Sequence, residues 1–103
     1  MGNFQVVFSL HAERDLEKIV RHVSRDDVEA AIRLGNKLIE RALQLSHPEN
    51  VYRGTNVSKR PGIRKLIEGN YLIFYRPYRE ERKIRVLRFW HAARDRKGLR
   101  LAV

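Results

Sequence analysis

No cysteine occurs among the 103 residues. Disulfides and thiolate zinc sites are thereby excluded, and a cytosolic location is the default expectation. No apolar run approaches the length that crosses a bilayer, so no transmembrane helix and no membrane partner are expected. The opening residues, Met1-Gly2-Asn3-Phe4, lack a basic region followed by an apolar one, so no signal peptide is expected. Gly-rich phosphate loops, His-x-x-x-His pairs and nucleophile elbows are all missing. The histidines, at 11, 22, 47 and 91, have no metal-ligand spacing, and neither a metal nor a cofactor is expected.

Acidic residues are scarce in one half only. Residues 1–50 carry 8 Asp+Glu against 7 Lys+Arg, a net −1, whereas residues 51–103 carry 4 against 15, a net +11. The overall charge of +10 therefore belongs to the second half. Such asymmetry points to nucleic acid or to a strongly acidic protein partner. The plainer alternative is a basic surface with no ligand.

At 43% hydrophobic residues the chain is expected to fold as one domain over 1–103, with a basic tail from about 96 to 103. Its organising stretch is Pro61 to Asp95. Three apolar runs, Ile63 to Ile67, Tyr71 to Tyr75 and Ile84 to Trp90, are separated by Gly69-Asn70 and by Pro77 to Glu81. β-Branched and aromatic residues bounded by Gly, Asn and Pro predict consecutive antiparallel strands.

Before them, Phe4 to Phe8 reads as a short strand, and Ser9 as the N-cap of a helix with Ala12, Leu16, Ile19, Val20 and Val23 on one stripe. Ser24 to Asp27 breaks that helix. Asp26 and Glu29 look like a capping box opening a second helix that runs to about Leu45 and ends at His47-Pro48. Gly35 costs that helix about 1 kcal/mol against Ala, and close approach of another backbone would explain it. Glu49 to Arg60 reads as a polar, mobile loop. After Trp90 the basic tail forms either a short helical turn or a loose end. The order β-α-α-β-β-β predicts an α+β fold: an antiparallel meander with the helical hairpin on one face and the first strand beside the last.

Arg64, Arg76 and Arg88 fall one on each meander strand. Strict alternation puts Ile84, Val86, Arg88 and Trp90 on one face of the last strand and Arg85, Leu87, Phe89 and His91 on the other. The three arginines are expected to converge on the face away from the helices, where they would hold phosphate or carboxylate. The alternative is a solvated sheet face. Tyr71 and Tyr75 alternate on the middle strand, either to stack on bases or as sheet packing. His91, near Arg88, Arg94 and Asp95, is a candidate general acid or base on RNA, or simply a hydrogen-bonded strand end. His11 and His22 read as helix-surface residues.

The segments FSLHAERDLEKIVRHVSRD, PGIRKLIEGNYLIFYR and IRVLRFWHAARD resemble the RelE/ParE toxin superfamily, and most closely its ParE-type plasmid stabilisation toxins. The resemblance covers about residues 4 to 95. It implies a βααβββ fold, the toxin role in a type II toxin–antitoxin system, and an acidic antitoxin that wraps the toxin in a hetero-oligomer. ParE-like members inhibit DNA gyrase, whereas RelE-like and YoeB-like members cleave mRNA on the ribosome. The RNA-cleaving relatives commonly carry an arginine four residues before the position of Arg76, where this chain has Leu72. They also tend to carry tyrosine or lysines near the C-terminus, where His91 is followed here by Ala92-Ala93. Gyrase inhibition by binding is therefore the leading expectation, with Arg64, Arg76, Arg88, His91 and Arg94 contacting target or antitoxin. The alternatives are an mRNA endoribonuclease with His91 as its catalytic residue, and a toxin-derived binding module without activity.

Overall fold

The computed structural model describes residues 3–101. Met1-Gly2 and Ala102-Val103, the extremities of the expected domain and tail, lie outside the described residues.

Ser9 ends strand β1 (Gln5–Phe8) and starts helix α1 (Leu10–Ser24). Its hydroxyl accepts from Ala12 N at 3.0 Å, as an N-cap does, and donates to Leu87 O at 2.9 Å. Helix α2 (Val28–Leu43) is capped by Asp27, whose carboxylate accepts from Ala30 N, and not by Asp26. The expected end near Leu45 is met by a 3-10 turn at Gln44–Ser46. At Gly35 a Cβ would lie 3.0 Å from Val20 Cγ2, so what comes close there is a side chain of α1 rather than another backbone.

Strands β2 (Thr55–Asn56), β3 (Arg64–Glu68), β4 (Tyr71–Tyr78) and β5 (Lys83–His91) complete a mixed sheet of order β1-β5-β4-β3-β2. β1 lies beside β5, as expected, and parallel to it, while the other pairings are antiparallel. β4 runs on through Pro77, contrary to the break expected there. β3 begins opposite Tyr75, so β4 has no β3 neighbour at Pro77 and is an edge there, where proline is tolerated.

The Glu49 to Arg60 segment is tied down rather than loose. It contains a 3-10 turn, the short strand β2 and the fully buried Val51. Tyr75 Oη donates to Val51 O at 2.9 Å and accepts from Gly54 N at 3.0 Å. A Cβ on Gly54 would lie 2.6 Å from that oxygen and 2.7 Å from Lys65 O, so only glycine fits.

The helices cover one sheet face, packing Ala12, Leu38 and Ala42 over Ile73, Tyr75, Ile84, Val86 and Phe89. The opposite face is covered too. There the tail folds back through a 3-10 turn at Arg96–Gly98 and buries Leu99 and Leu101 against Ile63, Leu72, Phe74, Leu87 and Trp90. The strict alternation expected along β5 fails at one point. Tyr75 pairs with Val86 and the adjacent Phe74 with Arg88, leaving Leu87 as an extra residue. This bulge reverses the facing, so that Ile84, Val86 and Phe89 share the helix side while Leu87 and Trp90 share the other.

Candidate functional site

β1 ends opposite Val86, so the remainder of β5 has no strand neighbour on that side. The beginning of α1 takes its place. Ser9 N donates to Val86 O and Ser9 Oγ to Leu87 O. One turn later Asp15 Oδ2 accepts from Phe89 N at 3.1 Å. The same carboxylate accepts from Arg88 Nε at 2.6 Å and Arg88 Nη2 at 2.9 Å. The side chains of Arg88 and Asp15 are only 12% and 10% exposed. Arg88 Nη1 also donates to Arg100 O, which ties the returning tail to the same guanidinium.

Above this pair lies an open cleft of about 340 Å³ between α1 and the ends of β4 and β5. Asp15, Lys18, Ile19 and His22 line it from α1, and Tyr71, Phe89, His91 and Arg94 from the sheet side. His91 and Tyr71 meet edge to face with centroids 5.1 Å apart. His91 Nδ1 accepts from Ala93 N at 3.1 Å, which leaves Nε2 to carry the proton of the neutral ring. Burial holds the Tyr71 phenol above its ordinary range, so it stays protonated at neutral pH. Arg94 sits at the rim with its guanidinium carbon 3.9 Å from the Trp90 ring centroid. No group of acidic, cysteine or histidine side chains that would hold a metal occurs among the described residues.

Of the five residues singled out from sequence, His91 and Arg94 share the cleft and Arg88 supports it from behind. The three strand arginines do not converge on the face away from the helices. Arg64 stands opposite Tyr75 on the helix side and donates to Gly54 O, Asn56 Oδ1 and Tyr52 O. Arg76 points to the other face, where it donates to Pro61 O at 3.4 Å and lies over Tyr78. Arg88 is held at the β5 edge by Asp15. Three strands with a bulge between them place three arginines in three settings. The strand-end histidine does have a local partner, but it is the Ala93 amide rather than a carbonyl or Asp95.

Asp15, Lys18 and His22 were missed. The spacing of 15, 18, 19 and 22 is a helical stripe, and that signal alone would have brought His22 into the same group as Lys18.

A family model described as ParE toxin of type II toxin-antitoxin system, parDE, matches residues 6–96. The chain belongs to the ParE toxin family. This ParE-family toxin is also similar to solved structures of two complexes. A chain of the toxin–antitoxin complex RelBE2 from Mycobacterium tuberculosis aligns at 25% identity and TM-score 0.68, covering 86% of this chain and 98% of that one. A chain of the chromosomal ParDE toxin–antitoxin system of P. aeruginosa shares the fold at 24% identity and TM-score 0.72, covering 85% and 95%. No curated protein is significantly similar to the toxin by sequence alone. The family and the α+β arrangement implied by the resemblance are thus those of the molecule.

Proposed function

We propose that this toxin acts by binding, with DNA gyrase as its target and an acidic antitoxin as its neutralising partner in the cytoplasm. The observation that carries the reading is the fate of Asp15. Cleaving RNA requires a base, an acid and charge stabilisation at the scissile phosphate. The one carboxylate lining the cleft is committed to Arg88 and to Phe89 N, and Arg88 is committed to it in turn. What remains accessible suits contact: Arg76 on the far face, and Lys18, His91 and Arg94 around the cleft. Arg64 serves by holding the Tyr52–Asn56 loop and Arg88 by fixing α1 behind the cleft. ParE-type relatives, which the chain resembles most, are the gyrase-directed ones.

The antitoxin reading is supported by the helical face as well as by charge. Val28, Ile32 and Leu43 remain 61%, 55% and 46% exposed on α2, and Leu10 is 58% exposed at the start of α1. A largely apolar groove lined by Phe8, Leu16 and Ile39, with Glu13 beside them, runs between the two helices and β1. A segment with an apolar side fits that surface, and acidic residues continuing from it would meet the net +11 of residues 51–103, since the half that contains the helices carries −1. No helix among the described residues is long and apolar enough to cross a membrane.

A DNA supercoiling assay with purified gyrase tests the reading. Inhibition at micromolar toxin supports it, and full supercoiling at that concentration overturns it. One observation favours a second reading, the ribosome-dependent endoribonuclease: His22 lines the same cleft as His91. Mapped mRNA cuts that vanish in His91→Ala would establish it.

A further inference from the structure

The geometry points to the cleft between α1 and the ends of β4 and β5 as a binding site for a phosphate group, with Lys18, His22, Tyr71 and His91 as its donors. Three separate elements supply them. A carboxylate presents two oxygens in a plane and is matched best by a single guanidinium fork. Here the forked guanidinium nearest the floor, that of Arg88, is already taken by Asp15. The remaining donors are a dispersed ammonium, two imidazoles, a phenol and, at the rim, the guanidinium of Arg94 stacked on Trp90; converging from different sides, they suit the several oxygens of a tetrahedral anion better than the two of a planar carboxylate.

Asp15 does not oppose this assignment. Its charge is matched by Arg88, and its oxygens accept three hydrogen bonds at 2.6, 2.9 and 3.1 Å. The phenol of Tyr71 keeps its proton, so it donates. At about 340 Å³ the cleft has room for a phosphate ester carrying a small organic group. Ile19 and the edge-to-face pair of Tyr71 and His91 give that group a partly apolar wall. The phosphate comes either from a free monoester or from a nucleic-acid backbone.

The test follows the ring resonances of the four histidines by NMR while inorganic phosphate, and separately a dinucleoside monophosphate, is added to the full chain. His11 and His47 lie outside the cleft and serve as internal controls. His22 and His91 are expected to shift saturably, and His11 and His47 are not. Lys18→Ala and Tyr71→Phe are each expected to weaken phosphate binding about fivefold. Saturation by phosphate alone assigns a free ester, and saturation by both assigns a backbone phosphate. Unsaturating drift of all four histidines alike, or unchanged affinity in both variants, overturns the site. The outcome is independent of the gyrase reading, because binding is measured without any target. A toxin that inhibits gyrase with an inert cleft refutes the phosphate site only.

Discussion

Asp15 and Arg88 form a two-pronged ion pair across the open edge of β5, with Arg88 Nε at 2.6 Å and Nη2 at 2.9 Å from the two carboxylate oxygens. The pair joins the first helix to the last strand, and through Arg100 O it also holds the tail. Removing one partner of such a pair strands a charge at low exposure. Arg88→Ala is expected to cost about 3 kcal/mol of stability, and Asp15→Ala a similar amount. The double variant is expected to cost clearly less than the two single costs added. Urea unfolding of all four proteins measures this coupling, and strict additivity would show the pair to be idle.

Much of this arrangement was legible in the residues. Ser9 announces the first helix, Gly69-Asn70 the tight turn, and the apolar density of both Phe4 to Phe8 and Ile84 to Trp90 their adjacency. The bulge was not legible. In Val86-Leu87-Arg88-Phe89-Trp90 apolar pairs stand on both sides of the one arginine, so nothing in the pattern shows where the facing reverses. Asp15 reads as an ordinary acidic residue near a helix start, favoured there by the macrodipole, and its partner lies 73 positions away. Leu99 and Leu101 sit among Arg, Lys and Gly, so the tail conceals its apolar contacts. The sites of greatest tertiary consequence were the ones whose local sequence was already satisfied.

The tail prediction follows from those two leucines, which are 8% and 7% exposed. They cap the face on which Trp90, the sole tryptophan, is 1% exposed. Leu99→Ala combined with Leu101→Ala is expected to lower stability by about 2–4 kcal/mol. The folded double variant is also expected to shift Trp90 emission to the red. An unchanged emission spectrum would mean that Trp90 is shielded by Arg88 and Arg94 without the tail.

Two glycines are expected to respond in opposite ways to alanine. At Gly54 the new methyl meets the Lys65 carbonyl and the Tyr75 hydroxyl, both fixed by the sheet and its hydrogen bonds. Gly54→Ala should cost about 3 kcal/mol or more. At Gly35 the methyl meets only Val20 Cγ2, at 3.0 Å. A gain in helix propensity of about 1 kcal/mol there offsets the crowding, so Gly35→Ala should lie within about 1 kcal/mol of the parent. Thermal melts of the two variants decide the matter, and a reversal of their order would place the close contact at the helices instead.

Alkaline pH supplies the last prediction. Burial raises the Tyr75 phenol above its ordinary value of 10.0, against smaller lowering effects from Gly54 N, Arg64 and Arg41. The folded protein therefore keeps a proton that the unfolded chain has released. Stability from this group is complete below about pH 10 and is lost as pH rises from there through the folded value. Tyr71, also raised by burial, adds a slope of the same sign. Tyr75→Phe should lose stability at neutral pH, because Val51 O and Gly54 N both lose their hydroxyl partner. Its stability should then fall less steeply than the parent's above about pH 10, since one of the two linked protons is gone. Urea unfolding at a series of pH values gives both quantities. A parent and variant that decline in parallel above pH 10 would show that the Tyr75 proton is not linked to folding, whatever the cost of its hydrogen bonds at neutral pH.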